Sequence, residues 1–337
     1  MSPDVIEDKL LIAIENQLKS VVSQISDQRY HELREMMEYH LGWVGDDAGQ
    51  KASGKRIRPL LLLLSCATAG GEWEKALPAA AAVELIHNFS LIHDDVEDDS
   101  LIRRGRPTVW VKWGIPQAVN TGDAMFTIAH LSILNLSAHT SPSIVLHSAK
   151  LLQQTCLDLT KGQYLDIAYE EHRELNIEDY WPMVAGKTAA LLSACTEIGA
   201  VIAESEPGIQ ELYRTFGNKL GLAFQVQDDI LGIWGDAVLT GKSSESDLLT
   251  GKKSLPILYA LNNCGKFADR WHRGAITEQE VEGLATVLEE EGAKFYAQNM
   301  AVKLHQEALE ALQEAHPSEV EEKYIRRVVE SLLNRQS

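Results

Sequence analysis

Cysteine is scarce, with four in 337 residues. Cys66, Cys156, Cys195 and Cys264 stand far apart, at neither metal-ligand nor redox-pair spacing, which excludes a disulfide framework and a thiolate metal site. They read as small core residues of a reduced, cytoplasmic protein. Proline (10) is low and aromatics make up 7%, poor material for a sandwich or barrel of strands punctuated by turns. Basic side chains are in deficit, 31 against 49 acidic, and the net charge of -18 argues against nucleic-acid or anionic-membrane partners, which need a positive field. The densest apolar run, Leu60 to Leu64 followed by Ser65-Cys66-Ala67, falls short of the roughly 18 residues of a membrane span. Met1-Ser2-Pro3-Asp4 has no basic flank, so no signal peptide is expected. What is present is apolar material, 45% of residues, enough for a large buried interior and too much for a disordered chain.

That material is arranged with helical period. Ile6, Leu10, Ile14, Leu18, Val21 and Ile25 form one stripe of an amphipathic helix over 5–25. Similar runs predict helices over 30–41, 56–69, 76–98, 116–138, 143–169, 178–204, 208–233, 254–264, 277–313 and 318–334, separated by Gly and Pro. No strand and no linker is expected. The runs 116–138 and 178–204 are apolar around most of their circumference, as in helices buried within a bundle. The expectation is an all-α fold, one large single-domain helical bundle over 1–337, whose charged C-terminal helices (277–334) are peripheral.

Two acidic clusters fit this design poorly. His93-Asp94-Asp95-Val96-Glu97-Asp98-Asp99 ends a largely apolar helix, and Asp94 and Asp98, four apart, share one face. Two such carboxylates about 5 Å apart repel by about 3 kcal/mol at an effective dielectric of 20. The negative end of the helix dipole adds to the cost. Gln225-Val226-Gln227-Asp228-Asp229 ends a second apolar helix, with Asp236 beyond it. Oxygen-only donors select a hard cation, Mg²⁺ before Zn²⁺, and Mg²⁺ on few carboxylates leaves positions for water and substrate phosphate. Diphosphate binding follows. A merely solvated acidic face is the competing explanation.

The few basic residues gather beside these acids: Gly54-Lys55-Arg56-Ile57-Arg58-Pro59, Arg103-Arg104-Gly105-Arg106, Gly241-Lys242, Gly251-Lys252-Lys253, and Lys187 within an apolar run. Arg supplies a fork for bidentate phosphate contact and Lys a compact charge. None of the glycine-containing stretches is a phosphate loop of the G-x-x-x-x-G-K-[ST] kind.

In this order, Gly54-Lys55-Arg56-x-Arg58-Pro59, Glu84-x-x-His87, Asp94-Asp95-x-x-Asp98 with Arg103-Arg104-Gly105, Gly162-Gln163-x-x-Asp166, Gly186-Lys187-Thr188 and Gln225-x-x-Asp228-Asp229 resemble the trans-isoprenyl diphosphate synthases. The resemblance covers about residues 50–260. It implies helices around a deep central cavity, a homodimer, and head-to-tail joining of an allylic diphosphate to isopentenyl diphosphate with release of pyrophosphate. It also implies three Mg²⁺ ions, with Asp94 and Asp98 holding two and Asp228 the third, supported by Asp229. Arg103, Lys187, Lys242 and Lys252 are expected on the allylic diphosphate, and Lys55, Arg58, His87 and Arg104 on that of isopentenyl diphosphate. Thr188 and Gln225 are expected to face the allylic cation. Phe89, with small Ser90 beside it, is expected to set chain length, C20 before C15.

The chain departs from the family at Gly232, where a fifth-position aspartate is common. A class I terpene cyclase, which has no use for the second basic set, and a non-catalytic partner subunit are the alternatives.

Overall fold

The computed structural model describes residues 3–172, 175–235 and 247–333. The fold is all-α. The chain gathers into two compact units, the first from Met1–Gln154, Ala194–Glu211 and Pro317–Arg326, the second from Thr155–Ser193, Leu212–His316 and Arg327–Ser337.

In the first unit the Leu77–Glu97 helix is central. Pro78, near its start, lacks an N–H that the first turn could not have bonded anyway. Ala79 to Ala82 then give a slim surface that lets neighbours approach. It packs against Ile115–Leu134, Ile57–Thr68 and Pro3–Val22. Leu60 to Leu64 are at most 3% exposed, so the densest apolar run is core, as its composition requires. The Ile115–Leu134 helix is less enclosed than its sequence predicts: Ile115, Val119, Leu131 and Leu134 are exposed.

In the second unit, Tyr180, Val184, Val226, Ile230, Leu255, Leu258 and Leu304 form one core cluster. The expected helix over 178–204 is interrupted. Ile177–Val184 passes into a π-helical turn, Ala185–Ala189, before Ala190–Ile202 resumes. The stretch 177–202 is long and apolar enough to cross a membrane, yet 72% of its apolar 18-residue window is buried within the protein. The expected helix over 277–313 is two, Glu278–Glu290 and Ala293–Glu314, parted at Gly292, whose φ of 84° is left-handed.

Two further expectations are corrected. Ile102–Arg103 and Arg106–Pro107 form a two-residue antiparallel ladder, where no strand was expected. Arg104 (φ 53°) and Gly105 (φ 76°) make its turn, with the two positive φ values of a type I′ hairpin. Cys66, Cys156 and Cys195 are buried, but Cys264 is exposed, at a left-handed position just past the Leu255–Asn262 helix.

Candidate active site

In the first unit, Asp94 and Asp98 occupy the last turn of the Leu77–Glu97 helix. Asp98 caps it, its N–H donating to the Asp94 carbonyl at 2.8 Å. Asp94 is half-buried and Asp98 exposed, whereas Asp95, between them in sequence, is 1% exposed. Burial raises the Asp95 pKa to about 6 against the opposing pull of Arg103. Arg103 Nε donates to its Oδ1 at 2.7 Å. The hairpin supplies that arginine. Tyr39 secures the hairpin by donating to the Pro107 carbonyl (2.8 Å), and the Arg106 guanidinium lies over the Tyr39 ring, 4.0 Å from its centre.

Arg104, at the hairpin turn, reaches the Gly54 loop, donating to the carbonyls of Ala52 (3.0 Å) and Ser53 (3.1 Å). A side chain at Gly54 would lie 2.9 Å from that guanidinium, so the close approach needs glycine. Arg58 Nη1 lies 3.1 Å from His87 Nε2. Since guanidinium can only donate, His87 is neutral and accepts through Nε2. Burial, then Arg58, Arg104 and Arg103, hold its pKa well below 6.5. Lys55 is exposed, next to Gly54 in the chain. The structure thus brings Lys55, Arg58, His87, Arg103 and Arg104 into one unit with Asp94 and Asp98.

Phe89 meets Phe126 edge to face at 5.1 Å and His93 at 5.5 Å, and Phe126 lies against His130 at 4.3 Å. Ser90 turns its hydroxyl back to the His87 carbonyl (2.9 Å).

The second unit builds its part around a close helix crossing with glycine on both sides. At Gly162 an added Cβ would sit 2.1 Å from the Lys187 amide nitrogen, and at Gly186 2.6 Å from the Asp158 carbonyl oxygen. Only glycine at both positions lets these backbones touch. The π turn falls at the same place, a recurrent device at functional sites. It presents Lys187 to Asp166, with which it forms a tight ion pair. Beside it, Thr188 Oγ1 donates to Gln225 Oε1 (2.7 Å), and Gln225 Nε2 donates to Asp229 Oδ1 (3.0 Å), fixing the amide's orientation.

Asp229 is 1% exposed and fully engaged. Its Oδ2 accepts from the Tyr180 hydroxyl (2.7 Å) and the Leu255 N–H (3.0 Å), and Lys252 Nζ lies 3.5 Å from Oδ1. Asp228, half-buried, is the outer member of the pair. Burial opposes the charge on Lys252, but Asp229, Asp247 and Asp228 outweigh it and raise the ammonium's pKa.

Gly232 has a reason of its own. A Cβ there would meet Asp247 Oδ2 at 2.6 Å and its Cγ at 2.7 Å, so the Asp247 carboxylate fills the space of the missing side chain. Burial raises the Asp247 pKa to about 6.

The sequence reading missed the work of Asp95, Asp166, Tyr180 and Asp247. Asp166 stood in a quoted motif and Asp95 in the first cluster, but Tyr180 and Asp247 carry no local signal. Lys242 and Asp236 lie outside the described residues. Among the described residues, no group of three or more His, Cys, Asp or Glu side chains could by itself hold a metal ion. Half-buried Asp94 and exposed Asp98 in the first unit, and half-buried Asp228 in the second, are oxygen-only donors that suit a hard divalent ion taking its remaining ligands from water or phosphate.

The polyprenyl synthetase family profile matches residues 47–290. A geranylgeranyl diphosphate synthase of Mycobacterium tuberculosis is 40% identical over 84% of this chain and 82% of its own. A (2E,6E)-farnesyl diphosphate synthase of Mycobacterium bovis is 38% identical over 73% and 68%. Among solved structures, a polyprenyl synthetase from Streptomyces coelicolor superposes with a TM-score of 0.87 at 32% identity, covering 97% of this chain and 98% of that one.

Proposed function

Because the chain belongs to the polyprenyl synthetase family, we propose that it joins an allylic diphosphate to isopentenyl diphosphate head to tail, releasing pyrophosphate. A C20 product is favoured, C15 next. The observation that carries this reading is the basic set of Lys55, Arg58, His87 and Arg104, additional to the residues that would serve the allylic diphosphate. A terpene cyclase ionises one diphosphate and needs no second holder.

Arg103, Lys187 and Lys252, with Lys242, grip the allylic diphosphate in this reading, Lys187 leaving Asp166 to do so. Preorganised cations facing the breaking C–O bond stabilise the charge that develops on the departing group. Thr188 and Gln225 turn oxygen lone pairs toward the allylic cation. Asp229 is so fully engaged that it serves Asp228 as a buttress. Asp94, Asp98 and Asp228 would hold magnesium, three ions with diphosphate bound, which supplies positive charge to the departing pyrophosphate. The double bond of isopentenyl diphosphate forms the new C–C bond, and the proton then lost passes to the released pyrophosphate.

We place residues 1–337 in one synthase domain, working in the cytoplasm as a homodimer. The exposed Val119, Leu131, Leu134 and Leu146 support a second copy. Incubation of the purified protein with Mg²⁺, an allylic diphosphate and isopentenyl diphosphate tests the reading. Chain growth with pyrophosphate release is the expected result. Release without isopentenyl diphosphate indicates a cyclase, and no release indicates a partner subunit. Asp94→Ala abolishes turnover with an unchanged circular dichroism spectrum.

A further inference from the structure

Arg56 adopts a left-handed φ of 49° immediately before the Ile57–Thr68 helix, two residues after Gly54 at 77°. A non-glycine residue holds such a conformation only where its surroundings impose it. Here the guanidinium, 4% exposed, is bound on three sides. Nε donates to Glu15 Oε1 at 2.6 Å, Nη1 to Glu84 Oε1 at 2.8 Å, and Nη2 to the Leu41 carbonyl at 3.0 Å.

The acids are held in turn. Trp43 Nε1 donates to the other oxygen of Glu15 (2.8 Å), and Asn88 Nδ2 donates to Glu84 (2.9 Å). Burial disfavours the charge on Arg56, but Glu84 and Glu15 more than restore it. None of these groups has a part in the reaction described above.

Their position gives them one. Glu84 and His87 lie three apart on the same helix, and Arg56 precedes and Arg58 lies in its neighbour's first turn, so Arg56–Glu84 and Arg58–His87 form two adjacent rungs. The first is sealed and the second carries the groups assigned to phosphate. Lys55 is carried on the turn between Gly54 and Arg56, which Arg104 grips from the other end through the Ala52 and Ser53 carbonyls.

We infer that Glu15, on the first helix and distant in sequence from every motif, is a positioning residue for isopentenyl diphosphate: by fixing Arg56 it sets the turn that presents Lys55 and Arg58 to that diphosphate. The inference rests on the assignment of Lys55 and Arg58 under Proposed function. Removing the Glu15 charge loosens this turn and leaves Lys187 and Lys252 untouched.

The test is steady-state kinetics of Glu15→Gln, with each substrate varied in turn, beside calorimetric titration with isopentenyl diphosphate alone. The expected result is a rise of about tenfold in KM and Kd for isopentenyl diphosphate, the scale of one charge-assisted hydrogen bond. KM for the allylic diphosphate and kcat at saturation stay within about twofold, a split that general loss of structure does not produce. Unchanged constants, or equal rises for both substrates, overturn the inference. If Glu15→Gln does not fold, Trp43→Phe removes one hydrogen bond to Glu15 and decides by the same split, at about threefold. Lys55→Ala separates the two levels. If it raises KM for isopentenyl diphosphate while the Glu15 and Trp43 variants do not, the positioning role alone fails; if it does not, the assignment of the diphosphate fails and the inference with it.

Discussion

Phe89 stands five residues before Asp94, about 7.5 Å further along the axis at 1.5 Å per residue. Those five residues also turn about 140° around the axis, so the ring flanks, rather than underlies, Asp94, and borders a chain that grows from there toward the start of the helix. The ring is braced, edge-on to Phe126, which itself lies against His130. Phe89→Ala is therefore expected to lengthen the main product, since it removes the ring braced by Phe126. Chromatography of the dephosphorylated products checks this, and an unchanged length removes Phe89 from the role. Lys187 shows the complementary case, a cation kept in place by its partner. Asp166→Asn removes this acid's pull on the ammonium in the resting enzyme, so KM for the allylic diphosphate changes more than KM for isopentenyl diphosphate. Equal changes would contradict the assignment of Lys187.

At the scale of elements, most of the fold was legible because a helix announces itself by a period of 3.6 residues, as Leu77–Glu97 and Pro207–Trp234 do. The remainder has no period to read. The hairpin that carries Arg103 has two-residue strands, too short to alternate visibly. The π turn at Lys187 lies where Gly162 lets another helix touch it, a fact about two distant segments. The candidate residues were legible by chemical type and spacing, but not that Asp95 is buried on Arg103, nor that Asp247 fills the space beside Gly232. Those tertiary facts carry predictions. Gly162→Ala forces a methyl to 2.1 Å from the Lys187 nitrogen, and such overpacking costs about 1–3 kcal/mol. It lowers both the melting temperature and kcat, since Lys187 moves with the backbone. Gly232→Asp, which restores the acid common in the family, drives one carboxylate into another 2.6 Å from its Cβ. Lower stability and activity are expected, and a gain in either would show that Asp247 yields its place readily.

For the whole molecule, the response to acid is set by a few buried groups more than by the net charge of -18. His40 and His87 are both held well below 6.5, by burial first and then by the arginines at 56, 58, 103, 104 and 106 around one or both of them. Both are neutral in the fold, while in the unfolded chain they protonate near 6.5. As pH falls below that value the unfolded state binds more protons, so stability is lost, by up to about 1.4 kcal/mol per pH unit for each histidine. Asp95 and Asp247, raised to about 6, act in the opposite sense. The folded state takes up their protons first, and stability is gained as pH falls from about 6 toward 3.8. The two effects oppose each other in the native protein, and a variant separates them. His40→Leu keeps both aspartates and removes one depressed histidine, so its unfolding free energy rises relative to that of the unmodified protein as pH falls from 7 to 5, by up to about 1.4 kcal/mol per pH unit, whatever its absolute level. Urea denaturation across that range measures the slope. A slope equal to that of the unmodified protein would mean that His40 titrates alike in both states, and that the arginines around it do not keep it neutral.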